Sequence, residues 1–234
     1  MKQHGETYRS KSLWVVFTLM SLFSTIASLV GCSPSNPSSA TVAPVSNDAE
    51  HNQYVKQAGD LITPYMRIQG VPEKPTNSGK ARADINRGMV LLQAVLVYNP
   101  TNWSSWWVLG KAHQALGEAE KACDAFGKSY AIQKENPDVA REYMFECLEI
   151  GRIVEAISAA EHAVILSPQD AGLYANLALA YTLASRITDA QSAIGKSLQI
   201  DPNDKISLTL RRIVREIADG KRKQPRTMRE LEGH

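Results

Sequence analysis

The sequence predicts an all-α protein, a solenoid of antiparallel helix pairs with a C-terminal capping helix. Three observations carry that expectation. From residue 80 onward apolar residues recur at helical spacing, and the alternation of a half-buried strand is missing. Asn102, Asn136, Asp170 and Asp204, each just before a helical run, fall 34 residues apart. Gly117, Gly151 and Ser185 repeat the same interval at the breaks between helices, as do Ala122, Ala156 and Ala190 within them. Asn and Asp suit the first set because their side-chain oxygens accept an orphan N–H of the first helical turn. Pro100, Pro168 and Pro202 mark helix ends in the same register, and Pro137 stands in the first turn after Asn136, where its missing N–H costs nothing. Two helices per period of this length make a stack, in which each pair buries its apolar face against the next.

Within the first period, Trp106, Leu109, Gly110 and His113 form a W-x₂-L-G-x₂-Y run with His in the Tyr place, and Ala122 and Phe126 form an A-x₃-F run. This resembles the tetratricopeptide repeat, and the resemblance implies units at 103–136, 137–170 and 171–204. Tyr143, Met144 and Cys147, then Ala156, Ala160 and Ala163, take the packing places of the second unit. Tyr174, Leu177, Ala178 and Tyr181, then Ala190 and Ile194, take those of the third.

The flanks read as modified ends of the stack. Residues 51–102 form a degenerate leading unit, whose two helices are separated by "GVPEKPTNSGK", longer than an ordinary unit turn. Residues 205–219 place Ile206, Leu210, Ile213 and Ile217 on one stripe, as a capping helix requires. In the tail, 220–234, Lys221, Arg222, Lys223, Arg226 and Arg229 outnumber Glu230 and Glu232. It reads either as an unstructured solubilising tail or as a basic patch for anionic head groups.

The first 31 residues are a different kind of sequence. A basic stretch precedes Leu13–Val30, which carries no charge, and Leu29-Val30-Gly31-Cys32 follows the small-residue pattern that ends such a run. It resembles the lipobox of bacterial lipoproteins, which implies cleavage before Cys32 and acyl chains, palmitate among them, on that residue. The alternative is an uncleaved signal anchor. Residues 32–50, rich in Ser, Pro and Ala, read as a flexible tether. The resemblance places the protein at the cell envelope, with Ser33 after the lipidated Cys favouring the outer membrane, facing the periplasm.

Catalytic and metal patterns are missing. "GKS" occurs at 127–129 and 195–197, two periods apart, without the upstream Gly of a phosphate loop. His51, His113, His162 and His234 make no i, i+4 pair, and His113 fills a packing place. The expectation is therefore no enzyme, no metal and no cofactor. A formal net charge of +2 gives no general attraction to nucleic acid. Cys123 and Cys147 lie in helical apolar positions, which favours small buried thiols over a disulfide.

A stack of this kind has a concave face, and the resemblance implies which residues line it. They are Trp107, Lys111 and Gln114 in the first unit, Arg141, Phe145 and Leu148 in the second, and Ala175, Leu179 and Thr182 in the third. The family's Lys and Asn pattern for a peptide carboxylate is not met, so the expected occupant is an apolar or aromatic segment with some negative charge. The expected function is a lipid-anchored adaptor or pilotin-like protein that binds another protein's peptide or helix during envelope assembly. The alternatives are a glycan or cell-wall module that stacks sugars on exposed tryptophans, and an accessory subunit of an envelope enzyme.

Overall fold

In the computed structural model the described residues are 42–67 and 74–233. The apolar run, Cys32 and most of the tether lie outside them, and so do the expectations placed there. Among the described residues the chain forms ten α-helices and one 3₁₀ turn, Thr63–Tyr65, with no strand. The leading pair is α1 (Asp48–Ile62) and α2 (Gly79–Tyr98). Three repeat units follow: α3 (Trp103–Ala115) with α4 (Ala119–Ile132), α5 (Pro137–Glu149) with α6 (Ile153–Leu166), and α7 (Ala171–Leu183) with α8 (Ile187–Ile200). Helix α9 (Lys205–Ala218) caps the stack against α7 and α8, and a short α10 (Met228–Glu232) ends the described chain. No helix among the described residues is long and apolar enough to cross a membrane.

The helix starts are set by the residues that recur every 34. Asn102 accepts from the Ser105 N–H at 3.0 Å, Asn136 from Asp138 at 2.9 Å, Asp170 from Leu173 at 3.2 Å and Asp204 from Ser207 at 2.7 Å. The turns between paired helices repeat as well. The N–H groups of Glu118, Arg152 and Arg186 reach back to the carbonyls of His113, Cys147 and Tyr181 at 2.8–2.9 Å. Each such closure needs a left-handed residue one place earlier. Gly117 and Gly151 supply it with φ near 75°, and Ser185 adopts it at φ 61°.

Small residues set how closely paired helices approach. Ala122, Ala156 and Ala190 are fully buried. A Cβ on Gly110 would sit 2.7 Å from the Phe126 ring, so the glycine lets α3 lie directly on α4. Gly88 of α2 plays the same part against Ile62 of α1, and this is how the leading pair closes despite its long connection.

Three readings change at the ends. Helix α1 begins at Asp48, capped by Asn47, inside the stretch read as tether, and Tyr54 donates to the Ala43 carbonyl. The leading unit thus takes in residues assigned to the linker. On α9 the buried stripe is Ser207, Leu210, Ile213 and Val214, while Ile206 is 49 % exposed. The 220–233 stretch is not unstructured, though Lys221, Lys223, Arg226 and Arg229 stay exposed on it. It folds back on the solenoid, with Pro225 and Leu231 buried and Met228 packed on the main core. Apolar residues three apart outweigh the local surplus of charge.

Candidate functional site

First helices of successive units line the concave face, and the 34-residue period carries equivalent positions to equivalent places. An open groove of about 1210 Å³ runs there. Lys111 and Gln114 of α3, Arg141 and Phe145 of α5, and Asn176 of α7 all line it. The turns before α7 and α9 close one side, and Met228 and Glu232 form part of the wall.

Four of the six groove residues expected in the first two units are therefore present, but their roles differ from expectation. Lys111 is 2 % exposed. Its ammonium pairs with Glu142 at 2.7 Å and donates to the Arg67 carbonyl at 2.9 Å and the Gln114 amide oxygen at 3.2 Å. Three donors meet three acceptors, so none remains for an anionic partner. Burial pulls the Lys111 ammonium below its usual pKa, and the Glu142 carboxylate opposes that shift. Gln114 continues the network by donating to Glu146 at 2.6 Å. Burial raises the Glu146 carboxyl above its usual value, opposed by the Gln114 bond. Arg141 pairs with Asp138 of its own first turn at 2.9 Å. Phe145 is half-buried and offers its ring to the groove.

The other two expected residues do not line the groove. Leu148 is 1 % exposed within the main core cluster. Trp107 packs on the cluster formed largely by α1 and α2, because the leading unit covers that side of α3. Trp106 packs there too, donating from its indole to the Pro100 carbonyl at 2.9 Å under the Lys128 ammonium. Among the described residues no tryptophan lines the groove. In the third unit Ala175, Leu179 and Thr182 are all buried. The expected gradation toward an open apolar end does not occur, and Gln224 of the C-terminal stretch donates to the Thr182 carbonyl there.

The charge of the groove is opposite to expectation. Seven carboxylates line it against three cations, Arg67, Lys111 and Arg141, and Lys111 is enclosed. The carboxylates come from Glu142, Glu146 and Glu149 on α5 and from the cap and turn residues Asp170, Asp201 and Asp204, with Glu232 at the wall. These acids were legible as helix caps and as a polar face of α5, but only the stacking of units brings them to one hollow. Asn176, missed from sequence, is the buried polar residue of α7 on the groove, at 6 % exposure.

Away from the groove, Cys123 and Cys147 are free and buried, with sulfurs 3.2 Å apart. The hydrogen bond between them lowers the pKa of Cys123 and raises that of Cys147. His113 is held by Glu118 across the turn at 2.6 Å, as a packing and turn residue. Among the described residues no group of His, Cys, Asp or Glu is placed to hold a metal ion.

A family model for the tetratricopeptide repeat matches residues 104–136. No curated protein sequence matches the chain. Among solved structures, the chain is similar to MamA at 17 % identity, over 75 % of this chain and 85 % of that one, with a TM-score of 0.61. It is similar to YrrB, described as a TPR protein with an unusual peptide-binding site, at 13 % identity over 76 % and 82 %, TM-score 0.58. Similarity to pilF of Pseudomonas aeruginosa stands at 18 % over 74 % and 71 %, TM-score 0.53. Likeness at these identities is likeness of fold. With the period of 34, the repeated caps and turns and the matched unit, the described chain is an all-α solenoid of tetratricopeptide-repeat fold.

Proposed function

We propose that the chain is a non-catalytic binding module that holds a peptide or helix of another protein in its concave groove. We further propose that a lipid on Cys32 tethers it to the bacterial envelope, most simply the outer membrane, as an adaptor or pilotin-like factor in assembly. The observation that carries the reading is the open groove on the first-helix faces, half apolar and half polar. A bound segment brings backbone N–H and C=O groups that need partners. Asn176, with two donors and an acceptor, is suited to them, while Phe145 offers an apolar contact at the centre. The peptide-binding site in YrrB's description supports the reading by analogy of fold. The charge-free run ending at Cys32 and the Ser- and Pro-rich stretch after it support the tether. Because carboxylates predominate, the favoured partner is cationic, the reverse of the charge expected from sequence.

The test replaces Phe145 by a photoreactive benzoylphenylalanine and irradiates living cells. The expected result is an adduct with a second protein, reduced roughly tenfold by Asn176→Ala while far-UV helicity is unchanged. A folded protein that yields no adduct with any other protein overturns the reading.

A further inference from the structure

The junction between the first two repeat units holds two thiols in contact. Residues four apart on a helix share a stripe. Cys123 and Gly127 make such a stripe on α4, and Tyr143 and Cys147 make one on α5. A Cβ on Gly127 would meet the Tyr143 ring at 3.0 Å, so the glycine lets the two helices close at that level. One turn away, the same antiparallel register sets Cys123 opposite Cys147, with sulfurs 3.2 Å apart and both residues fully buried. Both sulfurs stand on regular helices, so packing rather than loop geometry brings them together.

The place of Cys147 in the repeat is one from which a first helix can be tied to the second helix before it. Its equivalents, 34 residues away on either side, are His113 and Tyr181. Tyr181 donates from its hydroxyl to Glu161 of α6 at 2.7 Å, which joins the third unit to the second by a hydrogen bond. Between the second unit and the first, the thiol pair stands at that place. The Arg152 guanidinium lies 3.8 Å from the Cys123 sulfur, at the exposed turn between α5 and α6, and Asp124 steadies it at 3.2 Å. The bond from Cys147, and after it the Arg152 cation, draw Cys123 toward its thiolate against the cost of burial. The same bond holds Cys147 as the thiol. Cys123 is thus the attacking partner and Cys147 the resolving one.

We propose that Cys123 and Cys147 are a redox-active dithiol, which closes to a disulfide between the first and second units when a low-molecular-weight disulfide supplies the oxidising equivalents. The small buried thiols read from the sequence are then the reduced state of this pair. The Cys123 thiolate attacks one sulfur of the incoming disulfide, forms a mixed disulfide and releases the other half as a thiolate. The Cys147 sulfur, giving up its proton, displaces the second half from Cys123. Both cysteines are oxidised, the reagent is reduced to two thiols, and the protons lost by the cysteines pass to those products. Access is at the Arg152 turn, where an exposed side chain lies on the sulfur and local opening costs less than unfolding the helix pair. Closure ties α5, which carries Phe145 and Glu142, Glu146 and Glu149 of the groove, to the first unit. The proposal is independent of what the groove binds.

The test incubates the folded full chain with oxidised glutathione, removes the reagent, unfolds the chain in urea with iodoacetamide, and maps its peptides by mass spectrometry. The expected result is a Cys123–Cys147 cross-linked peptide that dithiothreitol abolishes, with the map separating this bond from any made by Cys32. The oxidised chain is also expected to unfold at a higher urea concentration than the reduced one, because the bond restricts the unfolded state. Cys147→Ser should trap glutathione on Cys123 in the folded chain, several times more than Cys123→Ser traps on Cys147. Should Cys147→Ser lose helicity, Cys147→Ala keeps the seat apolar, and the same adduct is expected. Full alkylation of both thiols in a chain of unchanged helicity overturns the dithiol, as does a bond that forms only in urea. Equal urea midpoints in the two states overturn the tie between units. Glutathione held mainly on Cys147 overturns the order of attack.

Discussion

Lys111 shows how a residue read correctly in position takes another role in three dimensions. Its place on the first-helix stripe brings it to the concave face, but Arg67 and Glu142 come from elements on either side and enclose it. Neither neighbour is recoverable from the local pattern, since the contacts span 44 and 31 positions of chain. Glu146 in the same network makes a measurable prediction. Its folded-state pKa is raised above the ordinary 4.5. Below that value both folded and unfolded chains carry the proton, so the group has no net effect. As pH rises, the unfolded chain ionises first, and beyond the raised folded value the folded chain holds a poorly solvated carboxylate. Stability from this group therefore falls as pH rises past the ordinary carboxylate value of 4.5 and levels off once the folded chain has ionised too. Glu146→Gln keeps an acceptor for Gln114 and should flatten that part of the profile, with neutral-pH stability equal or higher. Urea midpoints at several pH values check this; a variant with an unchanged fall assigns the slope elsewhere.

Helices and turns are the scale at which the sequence was most legible. The caps at 102, 136, 170 and 204 bond within two or three residues of themselves, and the turn closures span five. Such devices are local, so they survive transfer from pattern to structure. Ser185 is the exception that tests the account, because it holds the left-handed place where the two earlier turns use glycine. The left-handed cost for a residue with a Cβ is about 1–2 kcal/mol, partly offset by the greater freedom of glycine in the unfolded chain. Ser185→Gly should therefore stabilise by about 1 kcal/mol in chemical denaturation. A loss of stability would mean that the serine side chain contributes something beyond the turn. At the cap, Asp204→Ala should cost about 1 kcal/mol by the same measurement, because the Ser207 N–H would lose its acceptor. The segment 221–232 belongs to this scale too. Burying Leu231 contributes about 1.5–3 kcal/mol, enough to seat the segment but well below the stability of a domain core.

For the whole molecule, the proposed anchor predicts that Cys32→Ala moves the protein from the membrane to the soluble fraction, because acylation there needs the thiol. A variant that stays fully membrane-bound overturns the anchor and returns the signal-anchor alternative. The composition and period determined the class of fold and the places where helices start and turn, since each depends on interactions within a few turns of chain. The periodicity also separated Trp106, a packing residue by position, from the groove stripe. What only the tertiary structure decided was the content of the concave face. Stacking the units gathered carboxylates from α5 and from the turns before α7 and α9 into one hollow, and this reversed the charge expected of a partner. Trp107 packs half-buried on the leading pair, Leu148 sinks into the main core, and Gln224 of the returning C-terminal segment reaches the Thr182 carbonyl. The physical reason is range: caps, turns and helical stripes are decided by neighbours in sequence, whereas burial and electric field are decided by neighbours in space.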